Sequence, residues 1–589
     1  MKQHLPIILL IIINLIIGVI TFSQYGESWD VNSMRHYADS SLSLYRGLIY
    51  DENVSPNFIQ DELALGNYGP AYMMAVNGID RLDSSPSNLL QHLVYFFTFL
   101  IGLVAFYILC QRWMSANAAF GATLLFLTQP VFWGHAFINP KDIPFLTFFL
   151  LTLLLGFRIA DTLQPISLNK GGFAASLAFW LIPFLIIFFG SGLILAWIED
   201  SIRAAAAGGT SIWSFIASDI TTAPPELYIE KYSDLYLELS FFYPILSTVV
   251  LLVIFYFISR PIFSALIPAV LAGIVLGFTV AIRNLGLFAG LIVAGYILWK
   301  HRDKAWMHLL FYGVVAVASV YLFWPYLWTD PFARLIESVT VMSRYPWAGS
   351  VLFNGTNYAA ADLPSSYLLT LLGIQLTEPV WVLFIAGLTV AIVGLREKRS
   401  LVLLTAIWFI LPLIGFIIAR TVLYDNFRQI LFILPPVFIM AGIAFDQIKR
   451  PAIQGIVIAL CALPGVIGII NLHPYEYIYY NTFVGGVNGA AERFEMDYWG
   501  TSFREAAGFV NDVARANADI WIEGPTQSFS IYAREDLHIF SSHEATRAEH
   551  YDYVVATTRY SLDRLTYPEA KIVYRITRGD AVLAVVKQP

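Results

Sequence analysis

The strongest constraint on this chain is a series of thirteen apolar stretches, at residues 5–22, 89–110, 117–133, 143–158, 173–197, 241–258, 263–282, 285–299, 306–325, 374–394, 400–418, 430–446 and 452–471. About 20 such residues in a helix cover a hydrocarbon core ~30 Å thick, and lipid leaves the backbone only itself to hydrogen-bond with. Composition agrees, with 58% of residues hydrophobic and 13% charged, against about 45–50% and 25% in soluble domains. The pattern predicts an α-helical polytopic membrane protein with about thirteen transmembrane helices. Lys2 flanks the first stretch and no small-residue cleavage pattern precedes Ser23, so that stretch reads as a retained signal anchor. Cys110 and Cys461 both fall in apolar stretches, which gives no support to a disulfide framework.

Charge along the connections predicts sidedness. Arg112, Arg158 with Lys170, Arg260, the run Lys300/Arg302/Lys304, the run Arg396/Lys398/Arg399 and Lys449/Arg450 all sit on alternate short turns, and Lys2 shares their side. Basic residues mark cytoplasmic loops. The reading is an N-terminus inside, with loops 23–88, 198–240 and 326–373 and the whole of 472–589 outside a bacterial cytoplasmic membrane. Two domains follow from this: a helical membrane domain over 1–471, and an extracytoplasmic domain over 472–589. Past Asp497 hydropathy falls, and a helical stretch from Ser502 to Asn517 precedes short apolar runs at Asp519–Glu523, Tyr551–Ala556 and Ala581–Val586. That order predicts a small α/β domain. No basic patch of the kind that binds nucleic acid is present.

Residues that are chemically unusual for their setting cluster on the outer side. Glu27 and Asp30 open the first loop, and Met34, Tyr37, Ala38, Ser41, Leu42, Tyr45 and Leu48 follow at helical spacing. They predict an amphipathic helix on the membrane surface with Asp30 at its N-terminus, where the helix dipole favours a carboxylate. A very short outer turn holds His135, Asn139, Lys141 and Asp142. Polar groups at the hydrocarbon edge need partners or water, so Asp142 is expected either to pair with Lys141 or to cap the next helix. Arg283 beside Asn284, Arg344, and Arg428 near Tyr424 are outer cations that oppose the inside rule, which makes them candidates for phosphate recognition. Snorkelling to headgroups is the alternative for each taken singly. Glu378, before Pro379 at the start of an apolar stretch, is a further substrate-site candidate.

These residues carry a resemblance. Glu27–Asp30, the stretch from Gly134 to Pro144, Arg283-Asn284, Trp324–Trp328, Arg344–Trp347, Tyr424–Arg428, His473–Asn481 and Phe494–Gly500 together resemble the bacterial dolichyl-phosphate-mannose protein mannosyltransferase superfamily, glycosyltransferase family 39 with the GT-C membrane fold. The resemblance implies a donor sugar carried on a polyprenyl phosphate and an acidic first loop, usually with two adjacent carboxylates, that activates the acceptor. Here Asp30 is followed by Val31, so Asp30 is the catalytic match and Asp142 a supporting carboxylate. Lys141, Arg283, Arg344 and Arg428 would neutralise the leaving phosphate.

The expected partners are that donor, membrane lipids, and an acceptor hydroxyl on a protein, lipid or glycan, with a divalent cation as the one cofactor left open. Two rival readings use the same residues. A transporter or flippase for a lipid or anionic solute predicts paired repeats and broken helices at mid-membrane. A non-catalytic scaffold predicts that the outer domain binds a partner and that Asp30 can be replaced without loss.

Overall fold

The computed structural model describes residues 4–50, 65–80, 89–164, 171–210, 212–216, 222–343, 345, 347–541 and 550–589. Among the described residues nine helices are long and apolar enough to cross a membrane, or ten if a pair bent by 105°, Tyr367–Gln375 with Pro379–Val393, forms one broken span. This is a multi-pass membrane protein. Every one of the thirteen apolar stretches is helical, yet fewer than thirteen have the length of a span. Ala116–Leu127 and Pro435–Asp446 have 12 residues each, about 18 Å of helix at 1.5 Å per residue. Gly286–Phe323 runs as one apolar segment in which Arg302, at φ 50°, separates helix Gly286–His301 from helix Trp306–Phe323.

The expected loop 198–240 is largely helix, since Gly171–Ala206 and Pro225–Ile258 continue well past a membrane's thickness. Charged residues end the hydropathy signal there without ending the helix. Ile198, Ile202, Ala205 and Trp213 form a small core against Tyr228, Tyr232 and Tyr236, and Arg203 bridges Glu199 at 3.0 Å and Glu226 at 3.1 Å.

The chain divides into two compact units. The second comprises residues 35–75 and 151–343. In it, helices Arg260–Val280 and Trp306–Phe323 pack along their length. The amphipathic helix appears as Val31–Tyr50, with Met34, Tyr37, Ala38, Ser41 and Leu44 buried as its spacing requires.

The first unit comprises residues 1–34, 76–150 and 344–589. An aromatic core of Phe96, Phe99, Phe106, Phe126, Phe132 and Phe438 fills it. The break between Gln375 and Pro379 is held from within: Gln129 Oε1 accepts from the Thr377 backbone at 3.0 Å, and Gln129 Nε2 donates to Thr377 Oγ1 at 3.0 Å. Side chains thus satisfy the backbone groups that an interrupted helix frees. A hairpin of β1 (Ser350–Phe353) and β2 (Thr356–Ala359) precedes it.

The C-terminal sheet contains β3 (Asp519–Glu523), β4 (His538–Ser541), β5 (Tyr553–Thr557), β6 (Lys571–Arg578) and β7 (Ala581–Gln588), in the order β4-β3-β5-β7-β6. Strands β4, β3 and β5 are parallel, whereas β7 is antiparallel to both neighbours. Helix Phe503–Val513 buries Phe503, Ala506, Ala507 and Val510, one face at helical spacing. Strands β3, β5 and β7 coincide with the expected apolar runs. Strands β4 and β6 are the two sheet edges, where polar residues flank and interrupt short apolar runs and the hydropathy signal is weak.

Candidate active site

The site is built where three distant segments of the first unit are clamped together. Ser28 Oγ donates to the Ile138 carbonyl at 2.9 Å, Trp29 N donates to the Trp499 carbonyl at 2.9 Å, and Arg504 donates to the Tyr25 carbonyl at 2.9 Å. These bonds fix the Gly26–Asp30 turn against residues 134–142 and 497–504. Close approach makes two glycines necessary: a Cβ at Gly26 would stand 2.2 Å from the Thr501 carbonyl, and one at Gly134 would stand 2.5 Å from Tyr477 N.

Asp30 then faces Lys141, whose Nζ lies 3.0 Å from Oδ2, with an Arg428 nitrogen 3.8 Å away. Its side chain is 36% exposed, against 2% for Asp142, 5% for Asp425 and 4% for Arg428. Surrounding protein works to raise the Asp30 pKa, but Lys141, Arg428 and Arg559 outweigh it and hold the carboxyl below its ordinary value. Val31, where the resemblance expects a second acid, is fully buried.

Asp142 neither caps its helix nor pairs with Lys141. Asn139 does the capping, its Oδ1 accepting from Lys141 N at 3.0 Å and Asp142 N at 2.8 Å. That leaves the Asp142 carboxylate to take Arg428 at 3.0 Å and Asn139 Nδ2 at 2.9 Å. His135 is buried between Asn139 at 3.1 Å and the Tyr498 hydroxyl at 3.1 Å. Burial lowers its pKa to about 3, against the pull of Asp142, so it is a neutral strut.

Arg428 also binds Asp425 at 2.7 Å. Asp425 and Asn426 both have left-handed backbones, at φ 55° and 60°, a conformation that Asp and Asn tolerate better than most residues. The other Asp425 oxygen takes Arg559, 2.5 Å away. Arg559 stands in the turn after β5 and also donates to the Tyr498 carbonyl at 2.8 Å. Aromatic faces screen these cations: Trp499 lies 4.5 Å and Tyr424 5.2 Å from the Arg428 guanidinium, and Trp29 5.6 Å and Trp347 5.7 Å from that of Arg559. Burial opposes the charge on Arg428, but Asp425 and Asp142 keep it protonated.

Asp30, His135, Asn139, Lys141, Asp142, Tyr424 and Arg428 are therefore brought into one cluster. Glu27 is buried beside it, its backbone N donating to the Tyr532 hydroxyl at 3.1 Å. Glu378 is elsewhere, accepting from the Thr482 backbone at 2.8 Å and hydroxyl at 2.7 Å, a tie between the helix break and the C-terminal segment. Arg283 and Asn284 belong to the second unit, where Asn284 donates to the Ser338 carbonyl at 3.1 Å. Arg344 lies outside the described residues. Asp425 and Arg559 are not among the expected site residues. Asp425 stands inside the Tyr424–Arg428 stretch, whereas Arg559 lies in a polar domain where one more arginine gives no signal.

Among the described residues no three His, Cys, Asp or Glu side chains converge as a metal set. Asp30, Asp142 and Asp425 each face a cationic side chain instead, so the cluster does not fit the divalent cation left open above.

The fold and the cluster define a membrane protein with a partly open carboxylate set among buried arginines. No family model and no curated protein matches the sequence. Among solved structures the chain aligns with ArnT from Cupriavidus metallidurans in the apo state, at 13% identity and TM-score 0.46, over 98% of this chain and 97% of that one. ArnT from the same organism bound to undecaprenyl phosphate aligns at 12% identity and TM-score 0.48, over 98% and 97%. The archaeal oligosaccharyltransferase AglB from Archaeoglobus fulgidus, in complex with an inhibitory peptide and a dolichol-phosphate, aligns at 14% identity and TM-score 0.34, over 93% of this chain and 69% of that one.

Proposed function

We propose that the protein is a membrane glycosyltransferase that moves a sugar from a polyprenyl-phosphate donor to an acceptor hydroxyl at the outer face of a bacterial cytoplasmic membrane, with inversion. The observation that carries this reading is Asp30 itself: of the carboxylates in the cluster it is the one with substantial exposure, and Lys141 and Arg428 both reach it. Further support comes from the stretches that resemble family 39: 27–30, 134–144, 424–428, 473–481 and 494–500, all of them among the described residues, lie in the unit that holds the cluster.

The acceptor hydroxyl attacks the anomeric carbon as the bond from that carbon to the phosphate oxygen breaks, and the electron pair leaves with the polyprenyl phosphate. Asp30 takes the hydroxyl proton. Lys141 and Arg428 balance the charge developing on the phosphate. In this scheme donor binding also prepares the base, because a phosphate that draws Lys141 away from Asp30 removes the cation that depresses the carboxyl. Asp142 acts as a positioning residue, since it is sealed and holds Arg428. Arg283 and Arg344 remain proposed donor ligands only through the resemblance.

The test is transfer from a labelled polyprenyl-phosphate sugar by membranes carrying Asp30→Asn. Transfer at the normal rate would overturn the assignment, and a transporter or scaffold would then account for the cluster better.

A further inference from the structure

A cavity of about 530 Å³ lies in the first unit between the β1–β2 hairpin, residues 488–498 and the turn after β5, well within the ~300–1,000 Å³ of small-ligand sites. Arg559, which binds Asp425 on one side, forms part of its wall. Two buried polar atoms of that wall have no hydrogen-bond partner among the described residues: Glu495 Oε2 and Arg559 Nε. Glu495 is 6% exposed. A buried acceptor or donor without a partner is costly, and such atoms at a cavity wall mark the place of a ligand.

Those two atoms leave one acceptor and one donor unused in a wall that also carries Glu492, Asp497, Asp563, Arg564 and Asp580. It adds Asn357 and Ser561 as further polar groups, and the rings of Phe494 and Tyr560. Tyr560 and Ser561 both have left-handed backbones, at φ 58° and 57°, a strain that collects at ligand sites. An acyl chain would leave these polar atoms unsatisfied, and a phosphate would meet the Glu495 carboxyl. A ring hydroxyl both donates and accepts, and the C–H face of a sugar packs on aromatic rings.

We infer that this cavity is the acceptor subsite and that the acceptor is a carbohydrate, with one ring hydroxyl group donating to Glu495 and one accepting from Arg559. The inference rests on the transfer reading above and narrows its acceptor from protein, lipid or glycan to glycan. Burial and Asp425 raise the Glu495 pKa to about 7 against the pull of Arg559, so near neutrality the carboxyl can meet a hydroxyl as either donor or acceptor.

The experiment is saturation-transfer NMR on the full-length protein in nanodiscs with a panel of free oligosaccharides covering neutral hexoses, N-acetylhexosamines, uronic acids and pentoses. Transfer to the ring protons of at least one is expected. Affinity should fall by about tenfold or more in Glu495→Leu, which removes the hydroxyl's partner altogether. Asn357→Ala, on the hairpin wall, gives a second variant should Glu495→Leu fail to fold. Binding of undecaprenyl phosphate is measured in parallel and should not change in either variant. If the lipid phosphate binds and no oligosaccharide does, or if sugar binding survives both variants, the cavity is not the acceptor subsite while the transfer reading stands. If sugars bind in a Glu495-dependent way but Asp30→Asn leaves transfer unchanged, the cavity stands as a sugar site and the catalytic reading falls.

Discussion

The two sides of the Arg428 guanidinium differ more than their chemistry suggests. On one side Asp142 and Asp425 are sealed, at 2% and 5% exposure, and each is bound at hydrogen-bonding distance. On the other, Asp30 keeps 36% exposure and meets Arg428 only at 3.8 Å, with Lys141 as its close partner. Three aspartates share one arginine, yet only one is placed to exchange its partner for a substrate. Sealed charge pairs contribute rigidity, because removing one member strands the other in a medium that solvates it poorly. An open pair costs little to break, and that suits a group that must release a cation and accept a proton.

The comparison breaks most sharply at Asp30. Asp30→Asn should reduce sugar transfer by about 10²–10⁴-fold, the usual contribution of a general base, with the melting temperature nearly unchanged because the pair is partly exposed. Initial rates with labelled donor, alongside thermal unfolding in detergent, check both halves of that statement.

Arg428→Ala should do the reverse in kind. It removes the buried cation that Asp142 and Asp425 share and should cost about 3–5 kcal/mol of stability, read from chemical or thermal unfolding. A variant as stable as the parent would mean that the sealed side is not structural.

Lys141→Ala sharpens the open side. The donor concentration needed for half-maximal rate should rise by about tenfold, near 1.4 kcal/mol. The acid limb of the kcat/KM–pH profile, which reports the free enzyme, should also move up, because Lys141 is the strongest of the cations that lower the Asp30 pKa and its loss disfavours the charged form. A limb that stays in place would remove Asp30 as the titrating base.

The smallest effect concerns Glu495. Burial and Asp425 raise its pKa from the ordinary 4.5 to about 7, with Arg559 opposing. Between those values the folded chain holds a proton that the unfolded chain has lost, so this group's contribution to stability should decline as pH rises from 4.5 to 7. Unfolding curves of Glu495→Gln should lack that part of the slope.

Seven of the cluster's residues were legible in the sequence because of where they stand. Asp30, His135, Asn139, Lys141, Asp142, Tyr424 and Arg428 interrupt or border apolar stretches, where a polar side chain is expensive and therefore conspicuous. The same logic singled out Glu378, which accepts from the Thr482 backbone, and Asn284, which donates to the Ser338 carbonyl. Conspicuous cost identifies a polar group that needs a partner, but it does not say whether that partner is a substrate or a carbonyl.

Arg559 and Glu495 show the limit from the other direction. Both lie beyond Asn471, where charges are ordinary and solvation is assumed; Glu495 stands within the stretch Phe494–Gly500 but passes there as an acid among aromatics, and nothing local to Arg559 predicts that it will be buried. Hydropathy and periodicity by themselves determined a membrane-embedded helical chain, an amphipathic helix behind Asp30 and an α/β tail. Only the tertiary structure decided which aspartate stays open, that Asn139 rather than Asp142 caps the helix, and that the tail sends an arginine to the cluster. The reason is physical: apolar patterning is a sum over many neighbouring residues and survives in one dimension, whereas exposure and ion pairing depend on single atoms brought together across hundreds of residues.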